Sequence, residues 1–401
     1  MKPYLLPVLL ITGCLLTGCQ TIAPKTPEAV LADKTSQLVI QHKLPSLSIT
    51  LFNEKAILQQ SAKGVRKYGS PEEVTLQDVH HLGSITKSMT ATLIATYVES
   101  HKLSFQSKLK ELLPDTEMRE EYQNITIDQL LSHRSGIVDD LEPQPGWWDA
   151  SIPLATRKAD FIKDLLQTPL KHAPGTAFEY SNPGYALLAA ILEKVGKKPF
   201  ETLIETQLFN PLHMKGCSMG YTWDVSSVSQ PWPHVLQAGV PVPVPPVYPT
   251  QENNLVVAGN TEVIDGADNV RCPMSDLVLY GQAHMNGENG KNGFLKASTF
   301  QELHKDHYGD QYGYGWVVNK TDSGELVLGH DGSNTLNYAS LILIPAFELG
   351  TVGVSNIGGD EAQKAIYAGM TQAFQLGPSG HQQLKPAEVQ QGFRQRGSGL
   401  H

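Results

Sequence analysis

Cysteine is scarce. The 401-residue chain has four, and Cys14 falls in an N-terminal segment that reads as a discarded leader. No dense disulfide framework and no cysteine-rich zinc site can therefore organise the fold. Runs of Lys and Arg are absent and the formal net charge is −9, which argues against nucleic acid as a partner. Histidine is not scarce, at 14 residues, but no His-Glu-x-x-His occurs. His80-His81 and His304 with His307 lack the carboxylates or cysteines of a metal set, so no metal and no cofactor is expected. No apolar run is long enough to span a bilayer: Leu5, Leu6, Val8, Leu9, Leu10 and Ile11 make a short core that ends in small residues, the pattern of a secretory signal.

That signal ends in Leu16-Thr17-Gly18-Cys19, which resembles the bacterial lipoprotein signal. The resemblance implies removal of residues 1–18, lipidation of Cys19 and a lipid-anchored protein of the cell envelope. Gln20 is not the Asp of an inner-membrane retention signal, so the outer membrane, facing the periplasm, is favoured in a two-membrane cell. Cys217 and Cys272 then lie where a disulfide is allowed, although their pairing cannot be read from sequence. Residues 19–30 read as a polar tether with two prolines, residues 31–376 as the folded domain, and residues 377–401 as a polar, disordered tail.

The chemistry concentrates in Ser84-Ile85-Thr86-Lys87. No Pro or Gly interrupts residues 84–100, and Ile85, Met89, Leu93, Ile94, Ala95 and Val98 make most of that surface apolar, as in a buried helix. Three residues apart, the Lys87 amine can reach the Ser84 hydroxyl at the positive end of the helix, which makes Ser84 a candidate activated nucleophile. Ser-x-x-Lys alone is weak, since it recurs in the polar stretch Ser107 to Lys110, and a helix cap with a surface lysine is the bland reading.

Two further segments add to it. Tyr180-Ser181-Asn182 precedes a helix with Tyr185, Leu188, Ala189, Leu192 and Val195 on one face. A phenol titrates close to lysine, so Tyr180 beside Lys87 could be held partly as phenolate and take the Ser84 proton. The Asn182 amide could bind a substrate carbonyl or the lysine. The other segment is Gly329-His330-Asp331-Gly332-Ser333, at the end of a strand beginning at Glu325. Neither is unique: Tyr122-Gln123-Asn124 and His307-Tyr308-Gly309 match the same short patterns.

Around these motifs, Ser46 to Phe52 and Ala56 to Ala62 read as a strand pair, and residues 101–310 as mostly helix and loop, with a capping box at Thr126 and Gln129. Residues 231–250 hold so many prolines that a loop over the domain, shaping a pocket, is expected rather than regular structure. Four strands follow, at 314–319, 325–328, 338–344 and 350–355, as an antiparallel meander, and a helix from Asp360 packs on them. The fold expected is α/β in the α+β sense: an antiparallel sheet flanked by helices, with an inserted all-helical subdomain.

Taken in order, Ser84 with Lys87, then Tyr180 with Asn182, then His330 to Gly332 resemble the penicillin-recognising serine hydrolases, in particular the branch of class C β-lactamases, DD-peptidases and related esterases. Leu130-Leu131-Ser132-His133-Arg134-Ser135-Gly136, Phe209-Asn210-Pro211-Leu212-His213-Met214 and Tyr312-Gly313-Tyr314-Gly315-Trp316 are similar to further segments of that family. The resemblance implies a β-lactamase/transpeptidase-like fold and an acyl-enzyme on Ser84, with Lys87 and Tyr180 sharing the base work. It also implies Asn182, His330, Gly332 and Ser333 at the substrate, and an oxyanion hole formed by the N–H groups of Ser84 and Ser333. His330 stands where the lactamases carry lysine. A histidine titrating near about 6.5 would be mostly neutral at neutral pH and charge on acidification, with Asp331 able to shift it. Esters without a carboxylate are accordingly expected to be better substrates than penicillins, with acidic substrates improving toward lower pH. The expected protein is a monomer acting on a small molecule or cell-wall peptide.

Rivals are a class C-type β-lactamase and an idle cell-wall-binding relative. Gly216-Cys217-Ser218-Met219-Gly220 offers a competing nucleophile elbow at Ser218, which would need a strand before the serine and a helix after it.

Overall fold

The computed structural model describes residues 25–139, 141–142, 144–220, 226–247 and 262–378. The leader, Cys19, residues 248–250 of the proline-rich stretch and the tail beyond 378 lie outside these residues. No helix among them is long and apolar enough to cross a membrane, and no cluster of His, Cys, Asp and Glu among them could hold a metal ion.

Six strands form the main sheet: Ser46–Asn53 (β1), Ile57–Gly64 (β2), Val317–Lys320 (β3), Leu326–Ser333 (β4), Tyr338–Ile344 (β5) and Leu349–Ser355 (β6). Their order is β2-β1-β6-β5-β4-β3, antiparallel throughout. The C-terminal meander is thus continued by the N-terminal hairpin, with Ser48 opposite Val354. Strands β5 and β6 are buried at every residue because helices cover both faces. Pro27–Gln41 (α1) and the C-terminal helix lie on one face, Ile85–Glu99 (α2) and a helix at Met274–Glu288 on the other. The α1 helix starts at Pro27, with the Thr26 hydroxyl accepting from the Ala29 N–H, so residues 27–30, read as tether, are helical.

Between β2 and β3 run Ile127–Leu131 (α3), opened by the expected Thr126 and Gln129 capping box, then Leu154–Gln167 (α4) and Asn182–Gly196 (α5), followed by Met274–Glu288 (α6). Asp360–Gln375 (α7) closes the chain and buries Ala362, Ala365, Ile366, Gly369, Met370 and Ala373, as its period predicts. Helix α2 packs between β4 on the sheet and α5 in the helical region, and each of its residues from Ile85 to Ala95 is buried. Its hydroxyls cost little there because Ser88 bonds the Ile85 carbonyl and Thr92 the Ser88 carbonyl, at 2.8 Å each.

Two further local expectations fail. Strand β3 begins at Val317 rather than Tyr314, because Gly315 turns at φ 75° where a Cβ would meet the Lys87 carbonyl oxygen at 2.7 Å. The close approach needs glycine and breaks the strand. Residues 231–250 are not all loop: His234–Gln237 pairs with Val240–Pro243 across a turn at Ala238 (φ 48°) and Gly239 (φ 79°). The prolines are tolerated because Pro241 and Pro243 take the alternate positions, while Val244 donates to the Pro233 carbonyl at 2.8 Å. A small sheet of Val79–His81, Val270–Pro273 and Ser218–Met219 completes the frame, and Cys217 and Cys272 form a disulfide beside it.

Candidate active site

Ser84 precedes α2 with φ −66° and ψ −5°, and its side chain makes no capping bond, so the hydroxyl is not used as a helix cap. The Lys87 Nζ lies one turn on, 2.9 Å from Ser84 Oγ, 2.6 Å from Asn182 Oδ1 and 3.0 Å from the Ala267 carbonyl oxygen. Asn182 thus takes the second of its two options, the lysine. Lys87 is wholly buried, and burial pulls its pKa from 10.5 down to about 7, against the opposing pull of Asp268 and then Asp139. When neutral, the amine can donate its two hydrogens to Asn182 and Ala267 and turn its lone pair to the Ser84 hydroxyl.

The phenol of Tyr180 faces Ser84 and its ring lies 4.7 Å from the Lys87 Nζ. Its expected phenolate character is not found. Burial first, then the neighbouring Tyr312, raises its pKa well above 10, so Tyr180 is a neutral O–H that can pass a proton on, and the lysine is the better candidate for the base. What holds Tyr180 is His133, whose ring centroid lies 4.4 Å away and whose Nδ1 accepts the Ser181 N–H at 3.1 Å. The segment from Tyr180 to Asn182 is set further by α5, where the Ser181 hydroxyl accepts the Gly184 N–H at 3.0 Å.

Strand β4 passes against the start of α2. A Cβ on Gly332 would sit 1.9 Å from the Leu82 oxygen and 2.7 Å from Ser84 N, and one on Gly83 2.4 Å from Ser333 N. Only glycine at both positions lets the Ser84 and Ser333 amides lie side by side, the geometry an oxyanion hole needs. The Ser84 N–H has no acceptor among the described residues.

His330 is a correction. It is fully buried, its Nδ1 donates to the Asp331 carbonyl oxygen and its Nε2 accepts the Tyr312 hydroxyl at 3.0 Å. Both nitrogens are taken, so the ring braces Tyr312. Burial, with Lys87 adding to it, lowers its pKa to about 3; it stays neutral on mild acidification. Asp331 acts on the ring only through its backbone carbonyl, which opposes the lowering; strand alternation points its carboxylate to the other face, where it accepts from Tyr338 and Tyr367. The Ser333 side chain is likewise occupied, donating to the Asn337 carbonyl at 2.9 Å, which leaves its backbone to serve the site.

Asp139 enters unforeseen. It accepts the Asn182 backbone N–H at 2.6 Å and the Asn182 Nδ2 at 3.3 Å. An acid three residues past Gly136 was the only trace in the sequence. Ser218 is elsewhere, in the two-residue strand paired with Arg271 and followed by Gly220 at φ 66°, and among the described residues no helix follows it as an elbow requires.

The β-lactamase family model matches residues 31–373. Penicillin-binding protein 4 of Amycolatopsis lactamdurans is 24% identical over 326 residues, covering 78% of this chain and 81% of the relative. Protein flp of Staphylococcus aureus (strain COL) is 25% identical over 82% of this chain, which spans 64% of that longer protein. Among solved structures, EstCE1, described as a hydrolase with promiscuous acyltransferase activity, superposes with a TM-score of 0.68 at 18% identity, over 85% of this chain and 98% of its own.

Proposed function

The chain belongs to the β-lactamase family, and from that premise we propose that it is an envelope serine hydrolase that acylates Ser84 and cleaves esters or amides without a carboxylate at the recognised end. One observation carries the reading: Lys87 Nζ lies 2.9 Å from Ser84 Oγ with its other bonds going to acceptors only. Neutral Lys87 takes the hydroxyl proton as Ser84 Oγ attacks the acyl carbon, and the oxygen that gains the charge lies against the Ser84 and Ser333 amides. Collapse of the tetrahedral species breaks the bond to the leaving group, which takes a proton from Tyr180 as Tyr180 is resupplied by Lys87. Water then repeats the sequence on the acyl-enzyme, with Lys87 again as base, and frees the acid.

Substrate charge follows from what replaces lysine on β4. A neutral imidazole without a free nitrogen gives a substrate carboxylate no charge-assisted contact, a loss of about 1.5–3 kcal/mol, and the Asp139 carboxylate beside Asn182 repels it. Labelling with a serine-reactive phosphonate tests the nucleophile, and a panel of p-nitrophenyl esters, benzylpenicillin and a D-alanyl-D-alanine peptide tests the preference. Faster turnover of benzylpenicillin than of neutral esters refutes it.

The location proposed is the outer membrane, by a lipid on Cys19. Leu16-Thr17-Gly18-Cys19 supports it, and the disulfide is in keeping with an oxidising compartment. Replacing Cys19 by Ser should move the protein to the soluble fraction; retention in salt-washed membranes refutes the anchor.

A further inference from the structure

We propose that Asp139 is a positioning residue for this hydrolase reaction, holding the Asn182 amide so that its oxygen rather than its nitrogen meets Lys87. The inference rests on the function proposed above and concerns a residue outside the motifs that suggested it. A carboxylate only accepts hydrogen bonds. With Oδ1 on the Asn182 backbone N–H at 2.6 Å and Oδ2 facing Nδ2 at 3.3 Å, Asp139 can face only the nitrogen side of the amide, which turns Oδ1 to within 2.6 Å of Lys87 Nζ. Reversed, the amide would present donors to the lysine, and the lone pair Ser84 needs would be consumed accepting one of them. The loop that delivers Asp139 turns at Gly136 (φ 78°), where a Cβ would meet the His172 oxygen at 2.0 Å.

Asp139 also bears on Lys87 by charge. The groups facing that lysine are Asp139 after α3, Asp268 before the strand at Val270–Pro273, Tyr180 and Tyr185 at α5, and the neutral rings of His133 and His330, with Tyr312 beside the latter. Only Asp139 and Asp268 among them are carboxylates. Both hold the proton on Lys87, so removing one should let the amine lose it at lower pH.

The test is the pH profile of a neutral p-nitrophenyl ester with the full-length protein and its Asp139→Asn, Asp139→Ala and Asp139→Glu variants. Asp139→Asn should lower kcat about 10- to 100-fold with KM within about 3-fold, as misplacement of a base does, and should move the acid limb of kcat/KM down by about half a unit. Asp139→Glu, which keeps the charge but not the reach, should lose kcat while the acid limb stays within about 0.2 units of wild type. In an Asn182→Ala background, Asp139→Asn should cost less than about 3-fold, since no amide remains to be held. Asp139 is an exposed residue, and if melting curves show the Asn variant unfolded, the Ala variant carries the same expectation. A kcat within about 3-fold of wild type, an unmoved or raised acid limb in Asp139→Asn, or an undiminished cost in the Asn182→Ala background overturns the inference. Phosphonate labelling of wild type separates the two ideas: a labelled Ser84 with wild-type behaviour in Asp139→Asn sinks this inference alone, and an unlabelled Ser84 sinks the proposed function and this with it.

Discussion

A buried lysine that must lose its proton to work should reveal itself in both rate and stability. The pKa of Lys87 falls from 10.5 to about 7 on folding, chiefly through burial. Only the neutral amine is a base, so about half the protein is competent at pH 7 and about a tenth at pH 6, and kcat/KM on a neutral ester should fall about tenfold per unit below that limb. The same shift is a cost of folding. The folded state binds fewer protons than the unfolded chain between about pH 7 and about 10.5, so stability must rise with pH across that window, and below about pH 7 the full penalty, on the order of 5 kcal/mol, is present. Between about pH 7 and 9 the relief amounts to about 2–3 kcal/mol.

The perturbation is Lys87→Met, which matches the stem and removes the charge. It strips the donor from Asn182 Oδ1 and the Ala267 oxygen, at about 1–3 kcal/mol each, so its stability near pH 7 should come out close to wild type or above it while activity is lost. The assay is urea denaturation of both proteins at pH 7, 8 and 9. Other titrating groups are common to the two, so the difference isolates the lysine. The wild type should gain about 2–3 kcal/mol on the variant over that range. Parallel curves would show that Lys87 is charged when folded, and an acid limb near pH 5 would put the base on another group.

Three further outcomes follow from particular contacts. Ser84→Ala should lower kcat by several powers of ten and Ser218→Ala by less than about tenfold, in steady-state ester hydrolysis; the reverse order moves the site. The Cys217–Cys272 disulfide closes a loop of 55 residues, so changing both cysteines to Ser should remove about 4 kcal/mol of stability to urea, and a loss below about 1 kcal/mol would show the bond unformed or redundant. His330→Lys should destabilise by about 3–5 kcal/mol, because it buries an ammonium near Lys87 and strands the Tyr312 hydroxyl. It should not raise the ratio of benzylpenicillin to ester turnover, and a gain above about 3-fold would place position 330 at the substrate after all.

Much of the frame was legible because its signals are local. The breaker-free apolar run after Ser84 could only be a buried helix, and the turn residues between the runs after 316 could only make a meander. The proline-rich hairpin escaped because a proline count says nothing about which N–H groups a pairing needs. At Pro241 and Pro243 the alternate positions need none, and the left-handed turn at Ala238-Gly239 supplies the register. Residues 27–30 escaped for the opposite reason, since Pro27 reads as a breaker in a polar stretch and as a helix opener only once Thr26 is seen to cap it.

The site divides along the same line. Ser84, Lys87, Tyr180 and Asn182 were legible as chemistry, but the protonation of the lysine and the phenol depends on burial, which spacing does not express: depth lowers the lysine and raises the phenol, which favours the lysine in a role the sequence divided between them. His330 shows the limit most clearly. Reading it as a substitute for lysine assumed that its side chain points where a lysine would and has a free nitrogen. In the fold it shares a strand face with Gly332, whose missing Cβ lets β4 press against Leu82 and Ser84, so the ring at 330 is sealed under Tyr312. A lysine placed there would be held under Tyr312 rather than poised over a substrate, and on the function proposed the neutral ring on β4 and the Asp139 carboxylate beside Asn182 act together against a substrate carboxylate.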